Sequence, residues 1–485
     1  MSRTGARAGK SPLRPVEAGD KVCFAVDDSS AVRLPADFLL RGGAPRDPQP
    51  MTARLAHQFV RINQGLLRNF GISADVGYDG GEVELRLQTG SRVGAIPLLS
   101  PTSGKPDYGL VVQPRFDWPG IGPMLARMGW RVIPEPLRLP MLPRSDRKVP
   151  PWVLSTMVLF RIRAMLERLQ RRFTIGEAEL TAPRGTVDWG RYARTKVPTG
   201  RWLEVPCRFP DLRDDAALLG ALHFTLRRQL ASLESQRATG TVVLPLIALC
   251  QCLLDRVRHV PPRRPTDRDR LLWLRAPLQT EVFRDGLRAM EWTIDERGLA
   301  GLAEHTGLPW VMSMDAFFEA WCEYVVTELA RYYGGRVRAG RLRETVTPLL
   351  WEPPFTGSQR FLMPDLVLER DDETIIIDAK YKSHWEELNQ ERWFDLETTV
   401  RERHRNDLLQ VLAYTTSYTT KRVTACLLYP CRKATWDSLR QRGRLVHQAG
   451  LHAGVREVRL LLAAVPFDAE VDGVVGEIGR AVIQH

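Results

Sequence analysis

The sequence predicts a multidomain α/β chain, with a mainly β N-terminal region, a helical middle and a C-terminal mixed sheet flanked by helices. Three observations predict it. Up to about residue 145 the chain is rich in glycine and proline and carries short alternating runs such as GEVELRLQT, Gly81 to Thr89, the period of a half-buried strand. From about Trp152 to Pro309 the apolar spacing turns helical, as in VLSTMVLFRIRAMLERLQRRF and DDAALLGALHFTLRRQLASLE. From Ser313 onwards a helix, a hairpin, a second helix and further strands follow one another. The implied domains are a β-rich one over 1–145, expected to dock a partner, a mainly helical one over 146–310, and a last one over 311–485 that carries the chemistry.

The first fifteen residues, MSRTGARAGKSPLRP, are basic and lack an apolar stretch, so they read as a solvated tail rather than a secretory signal. The glycine, proline and short alternation that follow imply small antiparallel sheets joined by long loops. Pro134 to Pro151 is dense in proline and charge and reads as a linker. In the helical middle, Arg161, Arg168, Arg171 and Arg172 form one basic group, and a second basic segment runs from Arg256 to Arg270. Each reads either as a surface that tracks phosphates or as a solvated helix face.

The last third is the most informative. Met314 to Tyr333 has helical periodicity, with Phe317, Trp321, Val325 and Leu329 as an apolar stripe. Glu319 lies beside that stripe on a helix that would pack over the sheet; Glu323, one turn later, is expected to face solvent. The run PDLVLERDDETIIIDAKYK, Pro364 to Lys382, holds two short apolar strands separated by the polar tract Arg370 to Glu373, the pattern of a hairpin. Alternation puts Asp378 and Lys380 on one face while Ile377 and Ala379 point into a core. Asp365, just after Pro364, would lie beside Asp378 on the neighbouring strand. His404 to Tyr418 reads as another helix, with Gln410 and Tyr414 at i and i+4 on one face. VTACLLYP, Val423 to Pro430, and the later VREVRLLLAAV supply further strands. Residues 381–400 form either a lid or DNA-facing insertion, or a plain connecting helix.

Carboxylates as close as Asp365 and Asp378 repel unless a cation sits between them, and Mg²⁺ prefers oxygen ligands. Glu319 would be a third carboxylate within reach, so the candidate metal set is Asp365, Asp378 and Glu319. Lys380 could orient an attacking water or stabilise charge on a phosphate, and Gln410 and Tyr414 could position substrate or a metal-bound water. The competing reading is a same-face surface pair, Asp378 with Lys380, on an amphipathic strand, with the remaining residues serving only as helix packing.

The order Glu319, Pro364-Asp365, Asp378-Ala379-Lys380, Gln410-x-x-x-Tyr414 resembles the PD-(D/E)xK nuclease superfamily, in its QxxxY branch. The form Asp378-Ala379-Lys380-Tyr381-Lys382, followed by Asp407 and Gln410 to Tyr414, is most similar to the McrC nuclease subunits of McrBC-type restriction systems. The likeness extends more loosely to Leu180–Arg194, to Val205–Phe209 with Asp214 and Asp215, and to the strand Gly109–Gln113 with its Pro114-Arg115 end; Thr186 stands where that family usually has arginine. The resemblance implies a restriction-endonuclease-like mixed sheet in the last domain. It also implies a Mg²⁺- or Mn²⁺-dependent endonuclease acting on DNA, and a separate AAA+ GTPase or ATPase as partner.

Composition fits a polyanionic partner and excludes other classes. Net charge is +12, carried mostly by arginine. No apolar run is long enough to cross a membrane. Seven cysteines, sparse and odd in number, fit a reducing cytoplasm, and Cys322, Cys426 and Cys431 lack the grouping that an iron–sulfur cluster would need. The nine histidines show no ligand spacing, with only His384 and His404 near the core. There is no GxxxxGK[ST] loop; Ser103-Gly104-Lys105 comes nearest, but Leu99 and Pro106 stand at its other fixed positions.

The expectation is a DNA endonuclease subunit of a defence-type restriction system, hydrolysing phosphodiesters with a metal-activated water. Two alternatives stand beside it: a non-cleaving activator or scaffold of a ring NTPase, and a stand-alone repair or recombination nuclease.

Overall fold

The computed structural model describes residues 16–18, 21–40, 48–116, 118–137, 139, 150–169, 172–213, 215–239, 242–275, 280–295, 309–382, 398–453, 456–468 and 470–483. The readings placed on the basic tail, on Arg171, on His384 and on most of the segment 381–400 lie outside the described residues. Where the sequence suggests three domains, the chain groups into two compact units: Met1–Pro150 together with His305–His485, and Pro151–Glu304.

The first stretch of unit one runs β1 (Val16–Ala18), β2 (Lys21–Asp27), β3 (Ala31–Pro35), α1 (Pro48–Phe70), β4 (Ser73–Asp79), β5 (Glu82–Gln88), β6 (Arg92–Leu98), β7 (Tyr108–Gln113), α2 (Trp118–Arg127) and β8 (Glu135–Pro136). Strands β3, β5 and β4 form an antiparallel sheet against which α1 packs. Leu55, Phe59, Leu67 and Phe70 of α1 share one core with Leu34, Leu85, Phe24 and Leu110. A reading of sheets and loops alone misses α1. Its signals are in the sequence all the same: apolar residues at helical spacing, prolines in the first turn, and Gly71 just past the end. Gly71 sits at φ +81° and its N–H bonds Arg68 O, the left-handed glycine stop of a helix.

Unit two contains α3 (Pro151–Glu167), β9 (Arg172–Leu180), β10 (Thr186–Val187), α4 (Trp189–Arg191), β11 (Val205–Arg213), α5 (Ala216–Ser235), α6 (Val243–Val257), α7 (Asp267–Arg275) and α8 (Glu281–Ile294). Helices α3, α5, α6 and α8 pack on one another. The helical run expected from Val153 to Phe173 stops at Glu167, and Arg172–Phe173 open β9, which pairs with β11 from Val205↔Leu180 to Arg213↔Arg172. Cys207 and Phe209 are buried while Arg208 between them is exposed, on a strand inside a region otherwise read as helical. Several arginines of the expected basic faces are paired within the unit. Arg161 lies 3.5 Å from Asp285 and over the Trp292 ring, Arg256 donates to Leu166 O, and Arg270 lies 3.4 Å from Asp295.

The rest of unit one begins with β12 (Trp310–Ser313) and α9 (Met314–Tyr333). β12 inserts between β6 and β8, giving the sheet order β1-β2-β7-β6-β12-β8. The proline-rich stretch read as a linker therefore starts with a paired strand. Gly94 of β6, at φ +148°, faces the Trp310 carbonyl so closely that a Cβ would clash with it; a side chain there would bar β12 from the sheet. After α9 come β13 (Arg336–Ala339), β14 (Thr347–Pro348), β15 (Phe361–Leu362), β16 (Leu366–Glu369), β17 (Glu373–Ala379), α10 (Thr398–Thr415), β18 (Arg422–Cys431), α11 (Lys433–Gln441), β19 (Val446–Ala453), β20 (Arg456–Pro466) and α12 (Val471–Ile483). The sheet order is β13-β16-β17-β18-β20-β19, with β16–β17 antiparallel and β17–β18–β20 parallel. This is the mixed, helix-flanked sheet expected for the last third. β17 is buried along its whole length, which suits its unbroken Thr-Ile-Ile-Ile core to a central strand.

Candidate active site

The site is built at the C-terminal end of β17. The hairpin turns at Asp371–Asp372, with Arg370 N bonded to Glu373 O at 2.9 Å. Its register pairs Leu366 with Ile377. One step further along, Asp365 stands opposite Asp378, as parity predicts. Asp365 Oδ2 accepts a hydrogen bond from the Ala379 N–H at 2.8 Å, which fixes the carboxylate across the strand end.

Asp378 is 1 % exposed, so the reading of an exposed surface pair does not hold. Its Oδ2 lies 2.7 Å from Lys380 Nζ. Lys380 is held at both ends: its N–H bonds Leu428 O on β18 at 2.8 Å, and its ammonium donates to Gln410 Oε1 at 3.0 Å. Gln410 Nε2 in turn donates to the Tyr414 hydroxyl at 2.8 Å. A continuous polar chain thus runs Asp378, Lys380, Gln410, Tyr414. The i, i+4 spacing on α10 makes the last link, and the sheet-facing stripe His404, Asp407, Val411, Tyr414 seats that helix.

Glu319 comes from α9 and is half-buried beside the same carboxylates. Burial raises its pKa first, and the charges of Asp315 and Asp378 add to that, against Lys380. Asp365 is pushed well above the usual carboxylate range by burial and then by Asp378 and Glu319. Burial disfavours the Lys380 charge, but Asp378 by charge and hydrogen bond outweighs it and keeps the ammonium firmly protonated. Burial also raises Tyr414, against the bond from Gln410.

One expectation is overturned. Glu323 does not face solvent; it is 7 % exposed and ion-paired with Arg341 and with Arg131, the latter at 2.9 Å. The reason is that the middle turns of α9 are enclosed on more than one side, with Phe318, Cys322 and Val326 as buried as the stripe Phe317, Trp321, Val325 and Leu329. A carboxylate on that enclosed stretch has little water to meet, so Glu323 is paired instead.

Other residues belong to the neighbourhood that motif spacing did not single out by role. Lys382 Nζ lies 2.6 Å from the buried Asp407, whose other oxygen takes the Tyr429 hydroxyl at 3.2 Å, and His404 Nδ1 lies 3.2 Å from that hydroxyl. The available signal was parity: Lys382 is two residues past Lys380, and Asp407 one helical turn before Gln410. Cys322 and Cys426 are buried thiols, Cys426 pushed up to about 12 by burial, which suits packing rather than ligation.

Among the described residues no three His, Cys, Asp or Glu side chains are gathered as a ready-made metal cluster. The donor set nevertheless fits a hard divalent cation. It consists of carboxylate oxygens only, and burial with the neighbouring charges of Asp378 and Glu319 forces Asp365 toward its protonated form. Asp365, Asp378 and Glu319 are the residues that would hold such an ion. Among the described residues no helix is long and apolar enough to cross a membrane.

Comparison with known proteins places the chain. The family profile described as McrBC 5-methylcytosine restriction system component matches residues 147–430. No curated protein matches the sequence. Among solved structures, the chain is similar to one from Thermococcus gammatolerans, a refined half-complex from a tetradecameric assembly of McrB AAA+ hexamers with bound McrC. The identity is 13%, covering 95% of this chain and 100% of that chain, with a TM-score of 0.41. It is also similar to a chain of the cryo-EM structure of the Thermococcus gammatolerans McrBC complex, at 13% identity over 63% of this chain and 88% of that chain, with a TM-score of 0.26. Because the profile spans more than half of its length, this protein belongs to the family of McrBC 5-methylcytosine restriction system components.

Proposed function

We propose that the chain is the metal-dependent DNA endonuclease subunit of a McrBC-type restriction system, with a PD-(D/E)xK-type fold in its last third. The observation that carries the reading is the Asp378–Lys380 pair at 2.7 Å at the open end of a buried strand, with Asp365 opposite and Glu319 beside it. A divalent cation, Mg²⁺ or Mn²⁺, would supply Lewis acidity toward a phosphoryl oxygen and a more acidic water. The chain's own residues do the rest. Asp365, Asp378 and Glu319 hold the cation, and Lys380 orients the water or meets charge on the phosphate. Gln410 fixes the Lys380 ammonium, and Tyr414 fixes Gln410.

A motor is part of the same proposal. The sequence has no GxxxxGK[ST] loop, so the NTP-driven component would be a separate AAA+ polypeptide, using GTP or ATP. Incubating wild-type chain and Lys380→Ala with plasmid and linear DNA, with and without 5-methylcytosine, in Mg²⁺ or Mn²⁺, tests the reading directly. Cutting by the wild type and not by the variant supports it; equal cutting by both Lys380→Ala and Asp378→Ala defeats it.

A further inference from the structure

The residues next in sequence to two of the site groups are Tyr381, after Lys380, and Phe318, before Glu319. Tyr381 packs on Arg115 and Phe116, just past the end of β7 in the N-terminal part of unit one, and Phe318 packs on Tyr381 and Phe467. The Arg115 guanidinium lies 4.5 Å from the centroid of the Tyr381 ring and 5.1 Å from that of Phe116. Phe116 stacks on Phe467 at 4.0 Å with the planes 3° apart, and Phe467 stacks in turn on Phe318 at 5.9 Å. Tyr381 meets Phe116, Phe467 and Phe318 at 6.0, 6.0 and 6.3 Å.

The corner itself is anchored by a buried ion pair. Asp28, which follows β2, accepts the Arg115 N–H at 2.7 Å through Oδ1 and holds the guanidinium near Oδ2 at 4.0 Å. Its side chain is fully enclosed. Burial pushes its pKa up, and the charge and backbone N–H of Arg115, then the Tyr381 hydroxyl, oppose that. Burying a carboxylate and a guanidinium is expensive, and an apolar pair could fill the same space at less cost. Asp28 thus holds the Arg115 backbone and lies near its guanidinium, which sits over the Tyr381 ring.

We propose that Arg115 and Asp28 are positioning residues of the nuclease site, setting the distance between Glu319 on α9 and the Asp378–Lys380 strand end by holding Tyr381, against which Phe318 packs. The inference rests on the nuclease reading above. On this account the N-terminal sheet is a structural part of the metal site, and any disturbance of the β7 corner reaches the carboxylates through one side-chain layer.

Mn²⁺ binding to the full-length chain, followed by electron paramagnetic resonance, tests this without depending on cleavage. Wild type, Asp378→Asn, Arg115→Met and Asp28→Asn are compared, each with its melting temperature. Arg115→Met is expected to bind Mn²⁺ about tenfold more weakly than wild type, in the range seen when an outer-shell residue is lost, while its fold holds. Asp28→Asn is expected to weaken binding in the same direction and decides the matter if Arg115→Met does not fold. Wild-type affinity in whichever of these variants folds overturns the inference alone. Absence of Mn²⁺ binding by wild type, or full binding by Asp378→Asn, overturns the metal site and this inference with it.

Discussion

Gln410 Oε1 accepts a hydrogen bond from Lys380 Nζ at 3.0 Å, and this contact joins α10 to the end of β17 at the ammonium itself. Lys380 is thereby shared between Asp378, which supplies counter-charge, and Gln410, which supplies direction. Losing the ammonium and losing the amide that directs it have different consequences. Lys380→Ala is expected to lower cleavage at least about 100-fold, the scale for removing a preorganised charge from a reacting phosphate. Gln410→Ala leaves the charge and frees its direction, so a loss of about tenfold is expected. Cleavage rates at saturating DNA check both; equal losses would show that Gln410 does more than orient Lys380.

Glu319 and Glu323 are one helical turn apart and should behave as opposites. Glu323 closes a buried cluster with Arg341 and Arg131, so Glu323→Gln is expected to lower stability by about 1–2 kcal/mol, the scale of charged hydrogen bonds, with cleavage largely kept. Among the described residues Glu319 has no ion-pair partner, and its carboxyl is raised by burial. Glu319→Gln is expected to hold or raise the melting temperature of the metal-free chain while abolishing cleavage. Chemical denaturation beside a plasmid assay separates the two patterns.

The Lys382–Asp407 pair is asymmetric in exposure: the lysine side chain is 33% exposed and the carboxylate 5%. Removing the lysine strands a buried charge, whereas removing the carboxylate leaves an ammonium that water can reach. Lys382→Met is therefore expected to destabilise by about 3 kcal/mol, and Asp407→Asn by about 1 kcal/mol. The reverse order in urea denaturation would mean that Asp407 serves mainly Tyr429 and α10.

Asp365 and Glu319 both have carboxyls raised in the folded chain, by burial before anything else. A raised folded pKa contributes stability that is complete below the ordinary carboxylate range and is lost as pH rises through the folded values. The metal-free chain should lose this contribution on going from acid to neutral pH. A cation must displace the retained protons, so the thermal shift caused by Mg²⁺ should grow between about pH 5.5 and about pH 8. Melting curves in Mg²⁺ and in chelator at both pH values check it, and Asp365→Asn should flatten the difference.

The sequence by itself determined the local parts of the site. Strand alternation put Asp378 and Lys380 together, the Asp371–Asp372 turn set the register that brings Asp365 opposite Asp378, and helical spacing joined Gln410 to Tyr414. These relations span a few residues and follow from backbone geometry, which the chain carries wherever it folds. Only the tertiary structure decided the long-range ones. Whether Glu323 meets water depends on how many elements cover α9, which no periodicity within α9 records. The insertion of Trp310–Ser313 between β6 and β8, and the seating of Arg115 over Tyr381, join segments far apart in the sequence. Burial and pairing across such distances are properties of the packed whole, where desolvation makes each buried charge find a partner that its own segment cannot supply.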